Sequence, residues 1–118
     1  MKHKRKPKKM KHITFKVVED IVNPEGTTVA FSYRDVIERA IKTPMDIKMG
    51  MGMPVDELRK SIRLLDALEK GNELGMDLED ADFAYFKEKI QGVVRFNFTH
   101  RAFEQFFTDV LDLDKVKA

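Results

Sequence analysis

The sequence predicts an α+β fold, with about four helices and a small antiparallel sheet of two or three strands. Three observations carry that prediction. Apolar residues recur at helical spacing in four separate stretches. Short segments at 13–18, 27–31 and 93–98 instead alternate or are rich in β-branched residues. Proline, asparagine and glycine punctuate the boundaries between them. An all-helical fold is the alternative if the extended segments do not pair.

In chain order, ITFKVV at 13–18 places Ile13, Phe15 and Val17 on one face and Thr14, Lys16 and Val18 on the other, as a half-buried strand does. Asn23, Pro24, Glu25 and Gly26 form a type I turn signal: Pro24 presets φ at the second position and the Asn23 side chain can accept a backbone hydrogen bond. Residues 27–31 return, so 13–31 are expected to form a β-hairpin. Ser32 is then a helix N-cap, with Asp35 three residues on, and Tyr33, Val36, Ile37, Ala40 and Ile41 make one apolar stripe. The Thr43-Pro44 step ends that helix.

Residues 45–53, MDIKMGMGM, read as a loop, because Gly50 and Gly52 disfavour both helix and strand. Pro54 suits the first helical position, and Asp56 and Glu57 suit the first turn. Val55, Leu58, Ile62, Leu65 and Leu68 are the expected core face of this second helix, with Ser61 on its polar side and Gly71 closing it. Residues 72–76 read as another loop. Asp77 is the expected cap of a third helix whose core face is Leu78, Ala81, Tyr85, Phe86 and Ile90, with Phe83 pointing elsewhere and Gly92 as the stop. Residues 93–98 alternate again, as a third strand. Thr99 is the expected cap of the fourth helix, where Phe103, Phe106, Phe107, Val110 and Leu111 give the strongest periodic signal in the chain. The last residues, DLDKVKA, are expected to fray.

Charge divides the 118 residues sharply. Lys2, Lys4, Arg5, Lys6, Lys8, Lys9 and Lys11 give residues 1–12 seven cations and no anion, whereas the other 106 residues carry a net charge of −5. The expected organisation is therefore a flexible basic arm at 1–12 and a single compact α+β domain at 13–118. With no cysteine, disulfide scaffolds, cysteine-ligated metals and thiol nucleophiles are excluded. No apolar run approaches the ~18 residues of a membrane span, and no apolar stretch follows the basic residues as in a secretory signal. The expected location is the cytoplasm.

Catalytic patterns are not found. A nucleophilic triad needs a hydroxyl beside an imidazole that a carboxylate orients. Ser32 is accounted for as a cap, Ser61 is placed on a helix surface, His3 and His12 lie in the arm, and His100 lies beside a helix cap. Glu79, Asp80 and Asp82 are acidic neighbours, but the calcium-loop count from Asp77 puts Asp82 where the essential glycine belongs. They read instead as first-turn acids complementing a helix dipole. The segment KMGMGMP lacks the lysine and hydroxyl of a phosphate cradle. No enzyme activity, metal or cofactor is expected.

Two features read as binding surfaces. Met49, Met51 and Met53, on a glycine-flexible segment, can adapt to an irregular apolar partner, or else lid the core. The seven arm cations can neutralise phosphates without reading sequence, or dock on an acidic protein or on the acidic body itself. Self-association through an apolar hairpin edge or the methionine loop is a further reading.

The segments FSYRDVIERAIKTP, MPVDELRKSIRLLDALE, LEDADFAYFKEKI and FTDVLD resemble small uncharacterised proteins encoded by tailed phages and prophages, a resemblance that covers about residues 33–112. The resemblance implies a short accessory protein of a bacterial host's cytoplasm and assigns no activity or site residue. The leading expectation is a non-enzymatic interaction protein that docks to a protein partner or assembly. The alternative is a sequence-independent nucleic-acid-associated protein that uses the arm as a phosphate clamp.

Overall fold

Among the described residues eight elements follow one another: β1 (Met10–Thr14), β2 (Val17–Val22), β3 (Thr28–Ser32), α1 (Tyr33–Lys42), α2 (Val55–Lys70), β4 (Gly75–Glu79), α3 (Asp80–Val93) and α4 (Arg101–Leu111). The structure is a computed structural model and describes residues 10–45 and 52–111. The chain is α+β, with four helices and two separate two-stranded antiparallel sheets among the described residues. The pairs are β1 with β4 and β2 with β3.

The stretch expected as one strand is divided. Backbone bonding to other partners breaks it at residues 15–16: Phe15 N–H donates to the Leu74 carbonyl (2.8 Å), and the Lys16 carbonyl accepts from Tyr33 N–H (3.0 Å). The hairpin is therefore β2–β3, and Ile13 belongs to the other sheet. Its turn forms as expected, with Asn23 Oδ1 accepting from the backbone of Glu25 and Thr27 and Gly26 N–H closing onto the Asn23 carbonyl. Between Val18 and Ile21 the register slips, and Asp20 adopts φ 62°. Such a bulge adds one residue to β2 and turns its side chains over. Ile21 is buried in consequence, while Val17, expected inside, is exposed.

The first helix follows its prediction. Ser32 Oγ accepts from Asp35 N–H (3.3 Å), Tyr33, Ile37, Ala40 and Ile41 are buried, and Thr43 leaves the helix in extended geometry before Pro44.

Four expectations past Gly71 are corrected. Residues 75–79 are strand β4 rather than loop and helix cap, so Asp77 lies in mid-strand and α3 starts at Asp80. The α3 core face consists of Phe83, Phe86, Lys89 and Ile90; Ala81 is exposed, and the helix runs through Gly92 to Val93. Residues 93–98 form no strand beyond that helix end. Their alternation is real all the same: Val94 is buried, and Phe96 and Phe98 pack against the core, Phe96 stacking on Phe103 with centroids 4.0 Å apart. Side-chain period two was legible, but no backbone partner lies alongside. The cap of α4 is also His100 rather than Thr99, since Nδ1 of His100 accepts from Ala102 N–H (3.0 Å). Phe103, Phe106, Val110 and Leu111 are buried as expected, with Phe107 at the margin.

Candidate functional site

Of the expected apolar face of α2, Leu68 packs in the core and Leu65 lies at its margin, but Val55, Leu58 and Ile62 do not pack. Leu64 and Leu68 are buried together with Ser61, whereas Val55, Leu58 and Ile62 are 64%, 47% and 46% exposed. Leu65, next along the same line, is half-buried.

Polar anchors set this rotation of the helix. Glu57 reaches inward from the first turn, where one carboxylate oxygen accepts from Lys89 Nζ (2.6 Å) and from Met45 N–H (2.8 Å). Lys89 is wholly buried. A buried ammonium is tolerated only when paired, so this contact ties α2 to α3. One turn on, Ser61 Oγ lies 3.2 Å from the hydroxyl of Tyr85, which donates to the Glu57 carbonyl (3.4 Å). Burial pushes the Tyr85 phenol up in pKa, although its bond with Ser61 opposes this. Farther along, Arg63 grips the Asp82 carboxylate with two N–H groups, at 2.9 and 3.2 Å. With Glu57, Ser61 and Arg63 all held by α3, the apolar residues on the adjoining face of α2 are left to solvent. Large apolar side chains grouped on a surface mark interaction sites.

Two hollows adjoin the helices. The larger, about 660 Å³, lies between the second half of α2, β4 and β1. It contains a His12–Asp77 contact of 2.7 Å, with Nδ1 of the imidazole on the carboxylate. No serine lines it, because Ser61 faces Tyr85 and Ser32 caps α1. Among the described residues that line it, the imidazole of His12 therefore has a carboxylate partner but no serine beside it. The second, about 450 Å³, lies between α1 and residues 93–97, with Arg39 and Arg95 at its rim. Among the described residues no three His, Asp or Glu side chains converge as a metal site would require.

A separate polar cluster joins α4 to the start of α1. Asp109 accepts from Tyr33 Oη (2.6 Å), Lys16 Nζ (2.9 Å) and Gln105 Nε2 (2.8 Å). Burial pushes the Asp109 carboxyl up, but the bonds from Tyr33, Lys16 and Gln105 outweigh it and hold the pKa below the usual range. Burial, with the Asp109 charge behind it, raises the Tyr33 phenol strongly. These groups hold one another and face neither hollow.

Of the residues singled out in the sequence, Lys11 lies in β1, which begins at Met10, inside the stretch read as the arm. Lys2, Lys4, Arg5, Lys6, Lys8 and Lys9 fall outside the described residues, as do Met49 and Met51. Met53 is half-buried two residues before α2, beside the exposed end of the stripe. His100 serves as a helix cap and is not gathered with acids. The stripe itself was visible as spacing in the sequence, but nothing in that spacing separates a solvent face from a core face.

Among the described residues no helix is long and apolar enough to cross a membrane. Comparison of the chain with protein-family models, with curated proteins and with solved structures finds no match.

Proposed function

We propose that this chain is a non-enzymatic interaction protein that docks onto a protein partner or assembly through the outer face of α2. The observation that carries the reading is the exposure of Val55, Leu58 and Ile62 on a helix whose rotation is fixed by buried polar anchors. A helix with a free apolar face is the form that helix-in-groove and helix-pair recognition uses. The resemblance to small phage and prophage proteins fits an accessory role in a bacterial cytoplasm.

The test is photo-cross-linking from position 59, beside the stripe, in bacterial cells that express the protein. Discrete cross-linked species that vanish in a Leu58→Glu, Ile62→Glu variant of unchanged melting temperature support docking here. Species identical in both proteins, or none in either, count against it.

The second reading, sequence-independent binding of a polyanion by Lys2, Lys4, Arg5, Lys6, Lys8, Lys9 and Lys11, rests on the division between seven cations and a body of net charge −5. Titration of a random-sequence DNA duplex with the full chain and with residues 10–118, at two salt concentrations, examines it. Binding that needs the arm and falls steeply with salt is the expected signature.

A further inference from the structure

Three surfaces compete for a role beyond the fold. In the groove beside β4, Arg63 and His12 are each paired with a carboxylate that also lines it. In the groove beside α1, Arg95 donates to the carbonyls of Gln91 and Val94 at the end of α3. The α2 stripe is different, being apolar, rigidly held and self-complementary.

We propose that the outer face of α2 is a two-fold interface, on which a second copy of this chain lies antiparallel along Val55, Leu58, Ile62 and Leu65. This rests on the docking proposed above and names its occupant. The first argument is spacing. The four residues stand three, four and three positions apart, the interval of a coiled-coil seam. That series reads the same in both directions. A two-fold axis beside residue 60 therefore sets Val55 against the second copy's Leu65, and Leu58 against the second copy's Ile62. An isologous contact requires such a self-complementary patch.

The second argument is charge. Arg59 and Asp66 flank the same edge of the stripe, and neither has an ion-pair partner among the described residues. In the antiparallel register, Arg59 and the second copy's Asp66 differ in height by about five residues of helix, roughly 7.5 Å. An extended arginine side chain spans that distance. Each arginine thus turns from the axis toward a carboxylate, and two charges left single in one copy become pairs in two. The contact is narrow, well below a standard interface of about 1,600 Å², so association is expected in the range of roughly tens to hundreds of micromolar.

Sedimentation of the full chain from about 10 µM to about 1 mM, a range chosen to bracket that affinity, tests the proposal. The mass is expected to rise from 13.7 kDa toward twice that value. Arg59→Glu should weaken association about tenfold, and Arg59→Glu with Asp66→Arg should restore it. Orientation is read separately, because the chain has no cysteine of its own. Val55→Cys protein mixed with Leu65→Cys protein should give mixed disulfides in about tenfold excess over like-with-like products. A wild type monomeric throughout overturns the proposal, as does a dimer indifferent to Leu58→Glu, Ile62→Glu, or a preference for like-with-like disulfides. Monomeric wild type that still shows the position-59 cross-links leaves docking to another protein standing. Dimer formation without other cross-links supports the second copy alone.

Discussion

Lys89 on α3 places its ammonium 2.6 Å from a Glu57 carboxylate oxygen on α2, and that contact decides which side of α2 meets water. Both groups leave solvent to make it, Lys89 completely. Their hold on the fold is therefore asymmetric: losing either partner strands the other.

Lys89→Met is accordingly expected to lower stability by about 3–5 kcal/mol, as removal of one member of a buried pair does. Adding Glu57→Leu should recover much of the loss, because two apolar groups can fill the same space. Urea unfolding of the single and double variants measures both values. Additive losses would mean that the pair does not act as a unit.

Tyr33 and Asp109 predict limbs at the two ends of the pH–stability curve. The Asp109 carboxyl is held below its ordinary range, so its contribution is full above an unfolded carboxylate's pKa of about 4 and is lost as pH falls through the folded value. The Tyr33 phenol is raised, so its contribution is full below an unfolded tyrosine's pKa of about 10 and is lost as pH climbs beyond it. Tyr33→Phe should shrink the alkaline limb, to which the raised phenol of Tyr85 also contributes, weaken the acid limb, and cost roughly 1.5–3 kcal/mol at neutral pH for a hydrogen bond to a charged group. Thermal melts across the pH range report all three effects.

Gly75→Ala is expected to be severe. A Cβ there would run into the Ile13 carbonyl oxygen and lie 2.9 Å from Nε2 of His12, and backbone on the facing strand cannot give way cheaply. A loss of about 3 kcal/mol is expected, at the upper end of overpacking costs. Gly26→Ala should cost only about 1 kcal/mol, since its cost is the positive φ of 88° and nothing lies nearby. Equal losses at the two positions would contradict the close approach of β1 and β4.

Leu58→Glu and Ile62→Glu, each a charge in place of a large aliphatic residue, should change the stability of the dilute protein by no more than about 0.5 kcal/mol. The same exchange at Leu64, on the packed face of the helix, should unfold it. Circular dichroism melts at low concentration compare the three. A large loss at Leu58 would place that residue in the core of its own chain.

Local signals were enough for α1 and α4, because Ser32, the Tyr33–Ile41 stripe and the phenylalanines of α4 act within their own helices. They failed for α2. Its outward line Val55, Leu58, Ile62 is more apolar than its inward line Glu57, Ser61, Leu64, Leu68, and the partners that make the inward line acceptable, Lys89 and Tyr85, lie far along the chain. Strand β4 was hidden for a similar reason. The sequence GMDLE has a glycine where close approach demands one and an aspartate that resembles a cap, and only pairing with β1 makes it a strand. Of the candidate site, the residues and their spacing were readable; their exposure was not, because it is settled by tertiary anchors.

The pairing of β1 with β4 also orders events in time. Thr14 and Gly75 are opposite each other yet 61 residues apart, so during synthesis β1 waits for a partner made after α2. Closing so long a loop is slow, whereas the β2–β3 turn and the helices form locally. During that interval β1 is an unpaired edge. The nascent protein therefore leaves the backbone of Met10 to Thr14 without its strand partner until Gly75 to Glu79 have been made.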